Sequence, residues 1–268
     1  MSGRSSTRTR RHGQRALLAV LLAAAAGSCG RARHGEEPLR VAAASDLAKA
    51  FEEVGRAFEA GTGRAVTFTL GSSGLLARQI AEGAPFDVFA SANVSFVDDV
   101  VRAGACFGDT KAMYARGRIV VWTRKEVPPP ASLADLADGR FKQVAIANPE
   151  HAPYGKAAQQ ALTTLGLWDT IRPRLVYGEN VQQTLQFAQS GNADAAVVAL
   201  SLALVSDGNR LDVPADLHQP IDQALVVCKG SGRRDAATGF VTFVGSDEGR
   251  AIMRRFGFLL PGEAGQNP

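Results

Sequence analysis

Short apolar runs alternate with stretches of helical spacing from about residue 39 to residue 258, and this pattern predicts most of the elements. Residues 39–44 are apolar and too few for a helix. They reach Ser45, after which Leu47, Phe51, Val54 and Phe58 recur at helical spacing. Ser45 is therefore expected where a strand hands over to a helix, as an N-cap or first-turn residue. The arrangement returns three times. Residues 66–70 alternate as a strand and stop at Gly71-Ser72-Ser73-Gly74, and a helix with Leu75, Leu76, Ile80 and Ala81 starts at or just after Ser73. Residues 143–147 predict a strand, and the turn from Asn148 to Gly155 delivers a helix over 156–167. Residues 175–177 form a short strand, and Gly178-Glu179-Asn180-Val181 opens a helix with Val181, Leu185 and Ala188 on its apolar side. Further strands are expected over 86–90, 119–123, 194–200 and 224–228, with a helix through Phe96, Val100 and Val101 and a short one over 131–136. One or two closing helices over 236–256 place Phe240, Phe243, Ile252 and Phe256 in the core.

Such alternation predicts an α/β fold with mostly parallel sheets, whose ligands bind beyond the carboxyl ends of the strands. The Pro-rich stretch Val127-Pro128-Pro129-Pro130 reads as a crossing between domains, with a return near residue 222. The expected division is domain I over 39–124 plus 222–262 and domain II over 125–221, with a cleft and hinge strands near residues 124 and 224. A serine at a helix start is ordinarily only a cap. Its recurrence beside unpaired first-turn N–H groups at the positive end of the helix dipole points to an anion.

Composition changes the picture at the amino end. The net charge is +4 over 268 residues, but five arginines lie in residues 1–28, which hold no acid, so the remainder is close to neutral and gives no basic footprint for nucleic acid. Residues 1–28 read as an export signal: a basic region to Arg15, then an apolar segment over 16–26 that is too short to span a bilayer. Gly27-Ser28-Cys29 resembles a lipoprotein processing site, with Cys29 as the lipid-bearing residue, plain signal cleavage being the alternative. Residues 29–38 form a tether, and the body is expected outside the cytoplasm, periplasmic or on the outer face of the membrane. Cys106 and Cys228 could pair in that oxidising compartment. With four histidines and no CxxC, metal binding is not expected.

The runs VAAASDL, GSSGLLARQI, GAPFDVFASA, NPEHAPYGKAA, LGLWDT and GENVQQTL, in this order, resemble the periplasmic molybdate-binding proteins of ABC importers, the ModA family. The resemblance covers about residues 39–258. It implies a type II periplasmic-binding-protein fold, two α/β domains with a hinge and a ligand cleft between them, closing on a tetrahedral oxyanion without a charged counter-group. Matched residue by residue, it implies donors at Ser45, at Ser73, at the main-chain N–H of Tyr154 and at that of Val181. The family's tyrosine donor falls on Ala199, which has no hydroxyl, and Ser201 is the candidate replacement because strand alternation would put 199 and 201 on one side. The implied ligand is molybdate or tungstate, held through its oxygens. No cofactor is implied, and the implied partner is a membrane permease, with the protein acting as a monomer. A sulfate-type oxyanion binder is the runner-up.

A fully ionised oxyanion calls for donors only, whereas phosphate, which keeps a proton, would want a carboxylate. Asp46 is the only acid beside the expected pocket and reads as a first-turn residue favoured by its helix dipole. A Ser/His-dependent hydrolase, with His151 as base to Ser45 or Ser73, is the enzyme alternative. Gly71-Ser72-Ser73-Gly74 is not the G-x-S-x-G elbow such an enzyme would show. A protein-interaction lipoprotein is a third reading, but it leaves the repeated serines at helix starts unexplained.

Overall fold

The computed structural model describes residues 37–230 and 232–263, so the signal segment, Cys29 and most of the tether lie outside the described residues. The chain runs β1 (Leu39–Ala44), α1 (Ala48–Thr62), β2 (Val66–Gly71), α2 (Ser73–Ala81), β3 (Val88–Ser91), α3 (Val94–Arg102), β4 (Ala112–Gly117) and β5 (Ile119–Thr123). It continues through β6 (Val144–Ala147), α4 (Pro153–Thr164), α5 (Trp168–Ile171), β7 (Leu175–Gly178), α6 (Val181–Gln189), β8 (Ala195–Ala199) and α7 (Leu200–Ala203). The last elements are β9 (Asn209–Asp212), β10 (Ile221–Val227), α8 (Arg234–Gly245) and α9 (Asp247–Arg255).

Two five-stranded sheets result, ordered β2-β1-β3-β10-β4 and β7-β6-β8-β5-β9. Their plans are alike. Three parallel strands come first, then an antiparallel strand in fourth place, with a fifth strand paired antiparallel to it. The parallel strands β3, β6 and β8 are buried throughout, and β1 is buried except at the half-buried Arg40, as expected of strands covered on both faces.

The crossing between lobes falls earlier than the proline stretch suggested. β4 closes the first sheet at Gly117, and β5 begins at Ile119 as the fourth strand of the second. The strand over 119–123, expected in domain I, therefore belongs to the second sheet, and the turning point is Arg118 rather than a residue near 125. An apolar run of five residues says that a strand is buried on both faces but not which neighbours it takes. Here Ile119–Thr123 pairs with β8 on one side and β9 on the other. Arg118 itself donates to the Gly257 carbonyl, at 3.2 Å from Nη2. The return strand β10 begins at Ile221 and pairs with β3 and β4, near the expected position.

The first lobe packs around aromatic rings. Phe51 and Phe58 on α1 meet Phe240 on α8 edge-on, with centroids 6.0 and 5.3 Å apart. Away from this cluster, Cys106 and Cys228 form a disulfide that ties the segment after α3 to the end of β10. It closes a sequence separation of 122 residues, so it constrains the unfolded chain strongly. Replacing both cysteines by serine is expected to lower unfolding stability by about 2–5 kcal/mol. Urea titration of the oxidised protein and the double variant checks this, and coincident curves would show that the bond contributes nothing.

Candidate functional site

The carboxyl ends of β1, β2 and β3 in one lobe meet the start of α4 and α6 in the other around a small cavity. It is lined by Ala44, Ser45, Asp46, Gly71, Ser72, Ser73 and Ala92 from the first lobe and by Ala152, Pro153, Tyr154 and Val181 from the second. Four of the five expected donors, Ser45, Ser73, Tyr154 and Val181, are thus brought together. Among the described residues no cationic side chain lines the cavity.

Local sequence keeps these donors open. Ser45 opens a 3-10 turn, Ser45–Leu47, ahead of α1, and the N-cap of that turn is Ala44. It is a first-turn residue rather than a cap. The Ser73 hydroxyl accepts from the Ala92 N–H at 3.0 Å, which leaves its own proton to be donated elsewhere. At α4 the N-cap is Ala152, which has no side chain able to cap, and Pro153 carries no N–H. The Tyr154 N–H is therefore the first donor of that helix and lacks an intrahelical partner. At α6 the Asn180 side chain caps the N–H groups of Gln182 and Gln183, and so leaves that of Val181 uncapped. Gly155 is required at its place: a Cβ there would sit 2.0 Å from the Ala147 carbonyl oxygen, so only glycine lets α4 start so close to the end of β6.

Ser201 is not brought to the cavity. β8 ends at Ala199 and α7 begins at Leu200, so the two-residue alternation that would have aligned 201 with 199 has already given way to helical spacing. Its hydroxyl donates to the Asp46 carbonyl at 2.7 Å instead. It holds the turn of the first lobe rather than a ligand.

Asp46 stands in the first turn, as expected, and the structure adds that the residue is buried, 1% exposed, and lines the cavity. Its Oδ2 accepts from the Tyr154 hydroxyl at 2.9 Å and from Gln223 Nε2 at 2.7 Å, while Oδ1 has no hydrogen-bond partner. Gln223 Oε1 in turn accepts from the Tyr114 hydroxyl at 2.7 Å. Tyr154 comes from the second lobe and the other three from the first, so this buried network bridges the cleft. Gly117 lies beneath it, where a Cβ would stand 2.1 Å from the Tyr154 hydroxyl. Burial pushes the Asp46 carboxyl up to about 6, against the lowering effect of its Gln223 and Tyr154 hydrogen bonds. Burial likewise raises the Tyr154 and Tyr114 phenols, and the Asp46 charge adds to it.

A second bridge runs between Ser72 and His151. The Ser72 hydroxyl donates to the His151 carbonyl at 2.6 Å and lies 2.7 Å from its Nδ1, while the Gly74 N–H donates to the same carbonyl at 3.0 Å. With its one proton on the carbonyl, Ser72 can only accept from Nδ1–H, the reverse of a nucleophile facing its base. His151 thus stabilises its loop and pairs with neither Ser45 nor Ser73. Among the described residues no group of three His, Cys, Asp or Glu side chains could hold a metal ion.

The family profile of the bacterial extracellular solute-binding proteins matches residues 39–259. A molybdate-binding protein of Rhodobacter capsulatus is 35% identical over 222 residues, which cover 81% of this chain and 86% of that protein. The solved periplasmic molybdate-binding protein of Azotobacter vinelandii superposes with a TM-score of 0.79 at 32% identity, over 83% of this chain and 99% of that one. The chain belongs to the ModA family of solute-binding proteins. Its two sheets are those of the type II fold of this family. A further ModA protein, from Escherichia coli, is 29% identical over 86% of this chain and 92% of its own length.

Within this ModA site the buried carboxyl has a consequence for stability. Because folding raises its pKa from 3.8 to about 6, the folded state holds this proton to higher pH than the unfolded state. The associated stability is fully present below about pH 4 and is lost as pH rises through 6, an effect of about 3 kcal/mol. Asp46→Asn is therefore expected to be the more stable protein at pH 7.5 without ligand, by up to that amount, with the gap closing near pH 4. Denaturant melts of both proteins at the two pH values check this, and a gap that does not change with pH would refute it.

Proposed function

We propose that this protein captures molybdate outside the cytoplasm and delivers it to the permease of an ABC importer. One observation carries the reading: two serine hydroxyls and two main-chain N–H groups at helix starts converge from both lobes on a small cavity that no cationic side chain lines among the described residues. Such a set suits a dianion without a proton, held by charge-assisted hydrogen bonds at helix starts. The names of the relatives from Rhodobacter capsulatus and Azotobacter vinelandii support molybdate as that ion. The donors meet the oxide atoms, and no side chain reaches the metal. Tungstate has the same charge and nearly the same size and is captured as well.

The protein acts as a monomer, needs no cofactor and performs no reaction on the ion. Its work is an equilibrium between open and closed forms, because only the closed form presents donors from both lobes. The bridges from Tyr154 to Asp46 and from Gly74 to His151 belong to that closed form. The leader in residues 1–28 directs export, and lipid on Cys29 holds the protein to the outer face of the membrane.

Calorimetric titration with molybdate, tungstate, sulfate and phosphate tests the assignment. The first two are expected to bind one to one and tightly, the others weakly; sulfate as the tight ligand would keep the fold and overturn the substrate. Ser45→Ala and Ser73→Ala each remove a hydrogen bond to a charged ligand and are expected to weaken molybdate by about 10- to 100-fold. Small-angle scattering is expected to show compaction when molybdate is added, and an unchanged radius of gyration would remove the hinge.

A further inference from the structure

The cavity contains one group that a site made only of donors does not need. Asp46 lines it beside Ser45, is buried, and carries an oxygen, Oδ1, that meets no hydrogen-bond partner among the described residues. Its other oxygen accepts two hydrogen bonds, from Tyr154 and Gln223, and its main-chain carbonyl accepts one from Ser201. A carboxylate left in this state would face a captured dianion at close range in a dry site, and like charges disfavour the ionised form. With Oδ2 already accepting twice, a proton added to the group belongs on Oδ1. There it becomes an O–H donor in place of a repelling charge.

We propose that Asp46 is a ligand-binding residue in its acid form, taking up one proton from solvent as the oxyanion enters and donating a hydrogen bond from Oδ1 to an anion oxygen. This rests on the oxyanion reading above. No bond of the ion changes; the proton passes from water or buffer to Oδ1. Capture then falls with rising pH although molybdate itself stays fully ionised.

The surroundings of Asp46 leave this role to it. The phenols of Tyr154 from α4 and Tyr114 from β4 face the network, and burial holds both in their neutral forms. Gln223 from β10 and Ser201 from α7 are uncharged. The elements α6 and β2, which pack against the turn Ser45–Leu47, carry no charged side chain, and Lys49 on α1 is exposed and paired with Glu52. The His151 ring meets Ser72 rather than Asp46.

Calorimetry of molybdate binding at pH 7.5, repeated in buffers of different protonation enthalpy, counts the protons. The expected result is close to one proton taken up per ion, with affinity falling about tenfold per pH unit between 7 and 8. Asp46→Asn keeps a donor without the titration, so its binding is expected to take up no proton and to vary less than about twofold over the same range. Tight binding by the unaltered protein with no proton uptake overturns the proposal and leaves the oxyanion reading standing. Tight phosphate binding without uptake also overturns it, because Asp46 would then accept the ligand's own proton. Absence of any molybdate heat overturns the oxyanion reading and the proposal with it. The count on the unaltered protein decides even if the variant fails to fold.

Discussion

A buried dianion without a counter-ion must receive hydrogen bonds from every side, and most of the local detail around the cavity follows from that requirement. Side-chain hydroxyls can serve two directions, and Ser45 and Ser73 line the cavity from the first lobe. The remaining directions need main-chain N–H groups, and these are available only where a helix starts without a cap. The chain arranges this in two different ways. At α4 an alanine sits where a capping side chain would be, and at α6 an asparagine caps the second and third N–H groups while leaving the first open. Small residues at the strand ends, Ala44, Gly71 and Ala92, let these donors approach one another.

The same requirement explains why the site is divided between lobes. Donors from one sheet could cover only part of a tetrahedral ion, and a cleft between two sheets can surround it and still admit it. The hydrogen bonds across the cleft use neighbours of the donors themselves. Tyr154, whose main-chain N–H opens α4, places its hydroxyl on Asp46, the residue after Ser45. Gly74, the residue after Ser73, donates to the carbonyl of His151 in the loop that leads to α4. The cross-cleft hydrogen bonds and the candidate donors thus lie at adjacent positions of the chain.

The buried Asp46 is the exception in a site otherwise built of neutral donors. Three side chains converge on it from both lobes, so it organises the closed cleft while carrying the wrong charge for an anion. The conflict disappears when the group is an acid, and burial already moves it in that direction. A local rule broken at one position of a consistent fold is where function is expected.

Much of this was legible in the residues. The alternation of apolar runs with helical spacing fixed the α/β class, because a buried strand and an amphipathic helix have different periods. Ser45 and Ser73 stood out at strand-to-helix junctions, which is a local property, whereas Tyr154 and Val181 were singled out by the resemblance to the ModA family. The remainder depended on contacts between distant segments. No pattern in Ile119–Thr123 says which sheet it joins, since that depends on β8 and β9 rather than on its own residues. Ser201 read as a strand residue because Leu200 continues the apolar run, and only packing against Asp46 turned the chain into α7. Asp46 itself read as a helix-start acid beside the pocket, with no sign of its burial. What buries it are Tyr154 and Gln223, 108 and 177 residues away along the chain, and no local signal carries that information. Local order determined which groups could bind an anion; the meeting of the two lobes decided which of them line the cavity and which are buried against one another.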